Sequence, residues 1–119
     1  MTETILNQSM IKDIQDVMGD EAIEVISELI HSFLRDAPKQ IVKMKDGVVE
    51  NDREVVLLAA HTLKGSSANI GAEFLSSTSF ELEMTAESDD IPLILSKINN
   101  IENAFNTTKA ELQRVASNF

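Results

Sequence analysis

The run Ile91-Pro92-Leu93-Ile94-Leu95-Ser96-Lys97-Ile98-Asn99-Asn100-Ile101-Glu102-Asn103-Ala104-Phe105-Asn106-Thr107-Thr108-Lys109-Ala110-Glu111-Leu112-Gln113-Arg114-Val115 carries a regular apolar pattern. Ile91, Ile94, Ile98, Ile101, Phe105, Thr108, Leu112 and Val115 follow one another at alternating steps of three and four. At about 3.6 residues per turn these positions line one face of a helix. An alternation this strict is what a helix in a bundle requires, because its seam must keep facing its neighbours. Pro92 suits the first turn, where its missing N–H has no intrahelical partner to lose.

Working back toward the amino terminus, similar stripes recur. Residues 5–18 read as a short first helix, with Ile11, Ile14 and Met18 on one face, Gly19 as its stop and Asp20 as cap of the next. The following stretch places Ile23, Ile26, Ile30, Phe33, Ala37, Ile41, Met44 and Val48 at the same spacing. Pro38 predicts a kink or break there, with Asp36 capping the part beyond it, and Gly47 and Asn51 mark a turn. Asp52 caps a third helix that runs to about Ile70 and ends at Gly71. A fourth covers roughly residues 72–87, and Ser88-Asp89-Asp90 connects it to the last. The expected fold is all-α: an antiparallel four-helix bundle with an additional N-terminal helix, residues 1–119 forming a single domain.

Composition narrows the function. The chain has 119 residues and no cysteine, which removes disulfides and thiolate metal sites. Its net charge of −10 disfavours nucleic acid and anionic membranes as partners, since both are held by clustered Lys and Arg. The absence of Trp and Tyr removes the usual base-stacking platform. Residues 1–10 lack the basic-then-apolar order of a signal peptide, and no apolar run approaches the roughly 20 residues of a membrane span. A soluble, cytoplasmic protein is expected.

The chemistry sits in Ala59-Ala60-His61-Thr62-Leu63-Lys64-Gly65-Ser66-Ser67-Ala68-Asn69-Ile70-Gly71-Ala72. On a wheel of about 100° per residue, Val55, Val56, Ala59, Ala60, Leu63, Ser66 and Ile70 form the core side. His61 points away from Leu63 and Ile70, toward water. Lys64 and Gly65, three and four residues on, flank it. Gly65 lies in a helix interior, where glycine costs about 1 kcal/mol relative to alanine. Removing the side chain beside His61 would open the imidazole to a bulky reactant, and Lys64 would set a cation next to whatever the ring holds. Leu57, Leu58 and Ala68 fall on the same side, an apolar surround of the kind that docks proteins. The residues alone leave a second reading open: His61 as an ordinary surface histidine, Leu57 and Leu58 as part of a wide core stripe, and Gly65 as a close-packing residue.

His61-Thr62-Leu63-Lys64-Gly65-Ser66-Ser67, followed by Ile70-Gly71-Ala72, resembles the signature of histidine phosphotransfer domains. The likeness extends over nearly the whole chain. Phe33-Leu34-Arg35-Asp36-Ala37-Pro38 resembles the family's second helix, and Leu82-Glu83 falls where its fourth helix usually has that pair. The hydroxyl-rich Ser76-Ser77-Thr78-Ser79 departs from the pattern and leaves the extent of the fourth helix open. The resemblance implies that His61 is the phosphoryl acceptor, that Lys64 helps hold the phosphoryl oxygens, and that Gly65 leaves room for an incoming receiver domain. Ser66 and Ser67 match small residues that let the helix pack closely. It implies receiver domains of response regulators and hybrid sensor kinases as partners, and a monomeric phosphoryl carrier rather than an enzyme.

The mechanism follows from the ring. Imidazole has an ordinary pKa of about 6.5, is largely neutral at neutral pH, and attacks through a free nitrogen lone pair. The attacking atom is expected to be Nε2, and the donor an aspartyl phosphate on a receiver. In-line transfer needs positive charge at the phosphoryl oxygens. Lys64 supplies one cation; Mg²⁺ and the others are expected on the receiver, with no cofactor and no metal on this chain. No GxxxxGK[ST] or other glycine-rich phosphate cradle is present, so ATP-dependent self-phosphorylation is not expected. With no base or metal beside His61, slow hydrolysis of the phosphohistidine is expected too. His31 lacks a following Lys-Gly pair and reads as a surface or boundary residue. Three alternatives predict different behaviour: a docking module without labelling of His61, a phosphohistidine phosphatase or sensor-kinase fragment with turnover, and a structural bundle indifferent to loss of His61.

Overall fold

In the computed structural model, which describes residues 8–117, the stripes become helices α1 (Gln8–Met18), α2 (Ala22–Val49), α3 (Arg53–Asn69), α4 (Glu73–Thr85) and α5 (Ile91–Ser117). A 3-10 turn, Gly19–Glu21, joins α1 to α2, and no strand occurs among the described residues. The expected helix start at Ile5 and the facial role of Ile11 lie outside the described backbone and side chains. Helix α3 lies against α2 and α4, and α5 against α2 and α4, so the four close into a ring. Short connections make successive members antiparallel. Among the helices, the backbone of α1 approaches α2 alone, and its Ile14 reaches the edge of the core.

Two turns of the same kind set α3 in place. Asn51 (φ 55°) and Gly71 (φ 76°) both take the left-handed conformation just past a helix. After α2, Asn51 N–H donates to Val48 O (3.2 Å) and Asp52 N–H to Gly47 O (2.7 Å). After α3, Gly71 N–H donates to Ala68 O (3.0 Å) and Ala72 N–H to Ser67 O (2.8 Å). Both are Schellman caps, which satisfy the last carbonyls of a helix and reverse the chain. Asp52 then opens α3 by accepting from Val55 N–H at 3.2 Å, as its position in the sequence predicts. Asp90 does the same for α5, accepting from Leu93 N–H at 3.0 Å.

Several expectations need correction. Pro38 does not break α2, which runs continuously through it. The ring deprives only Leu34 O of its donor, a local loss that the buried Ile30, Phe33, Ala37, Ile41 and Met44 on the same face outweigh. Asp36 caps nothing there; it pairs with Arg35 and Lys39 at the surface. Asp20 lies inside the 3-10 turn, and the N-cap of α2 is Glu21, without a side-chain bond. Gly47 is a buried residue of α2 rather than a turn residue. A Cβ there would stand 2.8 Å from Val56 Cγ2 and 3.0 Å from Asp52 O, so its absence lets α3 start close against α2.

The core stripe of α5 is buried from Ile94 to Leu112 as the spacing predicts, its ends Ile91 and Val115 being half-buried, with Phe105 against Phe33 at 6.1 Å between ring centroids. On α3 the fully buried serine is Ser67, while Ser66 is only half-buried. The helix turns that flank inward because it packs on α4 as well as α2. The hydroxyl run of α4 does not shorten the helix. Ser77 donates to Phe74 O, Thr78 to Phe74 O and Ser79 to Leu75 O, while Ser76 crosses to Lys64 O of α3 at 2.9 Å. The α4–α5 connection is fastened by Arg53, which donates to Ala86 O and Asp89 O, and by Lys97, which donates to Asp89 and Thr85. Among the described residues no helix is long and apolar enough to cross a membrane.

Candidate functional site

Helix α3 presents His61 outward, its side chain 59% exposed, while Ala60 and Leu63 on either side are buried. The ring is nevertheless held. Glu83, in the last turn of α4, brings Oε2 to 2.7 Å from His61 Nδ1 and Oε1 to 2.8 Å from Lys64 Nζ. One carboxylate thus spans both flanks of the α3 face. Its side chain is only 18% exposed, against 29% for Lys64. The Lys64 ammonium, more than the His61 ring, holds the Glu83 carboxyl below the usual carboxylate range against the opposing effect of burial.

This charge state fixes the tautomer. An ionised carboxylate can only accept, so His61 Nδ1 carries the hydrogen and donates it to Glu83. In the neutral ring the lone pair is then on Nε2, the nitrogen turned from Glu83. A carboxylate that orients an imidazole through Nδ1 leaves Nε2 free for nucleophilic attack or proton transfer.

Gly65 is exposed, and a Cβ built on it would meet nothing within 4 Å. No close helix contact requires glycine here, in contrast to Gly47. Leu58, 52% exposed, and Ala68 stand on the His61 side as the wheel predicts. Leu57 does not share that exposure: it is half-buried against the core, because this flank of α3 is the one α4 covers. Phe80 of α4, 45% exposed, lies under the Lys64 ammonium with 5.1 Å from Nζ to the ring centroid.

A family model for the Hpt domain matches residues 28–118. The chain belongs to the Hpt domain family. The match covers all but the first six residues of α2 and the whole of α3, α4 and the described α5 of this Hpt domain, and leaves α1 outside. Among solved structures it is similar to histidine-containing phosphotransfer protein B from Pseudomonas aeruginosa PAO1, at 22% identity and a TM-score of 0.80 over 95% of each chain. That likeness supports the all-α fold. A comparison with curated proteins gives no match.

Of the residues the sequence singles out, the Hpt domain therefore brings His61, Lys64 and Gly65 to one exposed turn of α3. His31 stands apart as an exposed residue of α2. The expectation that no base stands beside His61 does not hold: Glu83 does. It lies 22 positions away in sequence and on another helix, so no local spacing announces it. Only its place in the Leu82-Glu83 pair, with Leu82 buried and Glu83 turned toward α3, pointed to it.

Proposed function

We propose that this Hpt domain is a phosphoryl carrier of a two-component phosphorelay, accepting a phosphoryl group on His61 Nε2 from a receiver aspartate and passing it to a second receiver. The observation that carries this reading is the Glu83 carboxylate on His61 Nδ1, which leaves Nε2 as the open, nucleophilic nitrogen of an exposed ring.

In the step, the Nε2 lone pair forms a bond to phosphorus as the phosphorus–oxygen bond to the receiver aspartate breaks. The aspartate leaves as a carboxylate, and the ring takes on positive charge that Glu83 faces through the Nδ1 hydrogen. Lys64 offsets charge on the phosphoryl oxygens. Mg²⁺ and further cations come from the receiver, so the active site is composite and the carrier alone is not an ATP-dependent kinase. Gly65 gives the receiver access, and Leu58 and Ala68 supply apolar contact around the ring. Transfer onward is the same exchange in reverse. Glu83 stays on the Nδ1 side of the ring, away from the phosphorus on Nε2, so it is not placed to activate an attacking water, and the phosphohistidine hydrolyses slowly. The carrier acts as a cytoplasmic monomer.

The test is labelling by a phosphorylated receiver in Mg²⁺. The protein gains one phosphoryl group that is acid-labile and base-stable, as a phosphoramidate is and an acyl phosphate is not. His61→Gln abolishes it, His31→Gln does not, and ATP alone gives no label. Labelling that survives in His61→Gln overturns the reading.

A further inference from the structure

Phe80 takes no part in the bond-making at His61, yet it touches Lys64. Its ring lies on α4, one turn before Glu83, and the Lys64 ammonium sits 5.1 Å above the ring centroid. The same ammonium is 2.8 Å from Glu83 Oε1. Lys64 therefore rests between a carboxylate and an aromatic face. Phe80 is left 45% exposed, so burial alone does not account for its place beneath the ammonium.

The two contacts respond differently to a phosphoryl group. The Glu83 ion pair is a competitor: to reach phosphoryl oxygens, Lys64 must leave Oε1. The contact with the ring is not, because the ring's negative face attracts a cation over a broad area and leaves N–H donors free to turn elsewhere. A lysine side chain has four rotatable carbons and disperses readily into solvent once its partner is gone. A ring beneath the ammonium limits that dispersal. From this juxtaposition we infer that Phe80 is a positioning residue for phosphoryl transfer, holding the Lys64 ammonium beside His61 while its charge is exchanged from Glu83 to the phosphoryl oxygens. The inference rests on the phosphocarrier reading and assigns Phe80 no contact with the reacting atoms.

The closing experiment uses potassium phosphoramidate as donor, with no receiver present, so that any part Phe80 plays in docking drops out. His61 Nε2 forms the new bond to phosphorus, the phosphorus–nitrogen bond of phosphoramidate breaks, and its nitrogen leaves as ammonia after taking a proton from water. Phe80→Leu keeps an apolar side chain and removes the π face. Its labelling rate should fall by about two- to fivefold, the factor an exposed cation–π contact is worth. Phe80→Tyr, which keeps the ring, should restore most of the rate. In a Lys64→Ala background, Phe80→Leu should have no further effect. Independently of any rate, the Lys64 ε-methylene protons of the wild-type protein should show an upfield ring-current shift in NMR that disappears in Phe80→Leu.

Equal losses from Phe80→Leu with and without Lys64 would overturn the inference, as would an unchanged rate or an unshifted Lys64 signal in the wild type, which needs no variant to fold. Failure of the wild-type protein to become labelled on His61 by a phosphorylated receiver in Mg²⁺ would instead remove the carrier reading, and this inference with it. Normal wild-type labelling with an inert Phe80→Leu removes this inference alone.

Discussion

Gly65, Gly47 and Asn51 stand in three different surroundings, and substitution separates them. Gly65 has open space where a Cβ would be and ordinary helical surroundings. Gly65→Ala should therefore stabilise the fold by up to about 1 kcal/mol, the helix-propensity difference, read as a higher Tm. Gly65→Gln should fold as well but slow receiver transfer at least tenfold, because a long side chain then stands beside His61; unchanged transfer would leave the access role without support. Gly47 is the opposite case. The atoms a methyl would meet there include Asp52 O and Val56 N, backbone that cannot rotate aside. Gly47→Ala should cost about 1–3 kcal/mol, the usual range for overpacking, measurable by urea denaturation. Asn51 holds φ 55° in a Schellman cap where glycine is free of strain. Asn51→Gly should be neutral or stabilising by a few tenths to about 1 kcal/mol, with Tm again the measure. In the sequence Gly47 and Asn51 are both turn-prone residues, while Gly65 reads as a helix-interior glycine beside His61. Asn51 and Gly71 were legible as turns because they follow complete apolar stripes, whereas the role of Gly47 depends on how near α3 comes to α2, a tertiary distance that no stripe encodes.

At the scale of elements, the site is a product of α3 and α4 together. Helix α3 supplies His61 and Lys64, and α4 supplies Glu83 and Phe80; Ser76 ties the two helices by its bond to the Lys64 carbonyl. Glu83→Gln tests the pairing. A neutral amide can offer its oxygen to the Nδ1 hydrogen but withdraws the negative charge that faces the ring and Lys64. We expect His61 labelling to persist at a rate lowered by about tenfold, since positioned general-base and electrostatic contacts of this kind contribute at least that much. Glu83→Ala should be lower still, because the ring then loses its orientation. Equal rates for wild type, Gln and Ala would remove Glu83 from the mechanism. This division explains which part of the site the sequence disclosed. His61, Lys64 and Gly65 share one helical turn, and their spacing of three and four can be read on a wheel. Glu83 and Phe80 enter only when α4 packs on α3, and the same packing hides Leu57, which the wheel alone places on the open side. The helix count survived translation into three dimensions because apolar periodicity measures burial directly. The breaks did not: Pro38 was overruled by a continuous buried face on both sides of it.

Over the whole molecule, charge sets the response to conditions. The net charge of −10 makes the chain self-repelling at neutral pH. Lowering the pH toward the sequence pI of about 4.5 relieves that repulsion. Three carboxylates act in the other direction: Asp36, held low chiefly by its neighbour Arg35 on the open surface, and two that tie helices together. Glu83 and Asp89 both lie below their ordinary values of 4.5 and 3.8, Glu83 chiefly through Lys64 and Asp89 chiefly through Lys97, then Thr85. A carboxylate with a lowered folded-state pKa contributes stability in full above its unfolded value and loses it as the pH falls through the folded one. Stability should therefore hold or rise slightly between neutrality and about pH 5, where repulsion eases, and fall once the pH drops below the unfolded values. The loss has a structural address. Protonating Asp89 frees Lys97 and Thr85 at the α4–α5 connection, and protonating Glu83 frees Lys64 and His61 at the α3–α4 face. Asp89→Asn and Glu83→Gln should each flatten the acid limb of a plot of Tm against pH, and the double variant more than either, because the two sites share no partner. Their curves should converge on the wild-type curve at the lowest pH, where the carboxylates of the wild type are neutral as well. Acid limbs as steep in the variants as in the wild type would place the acid sensitivity in other carboxylates.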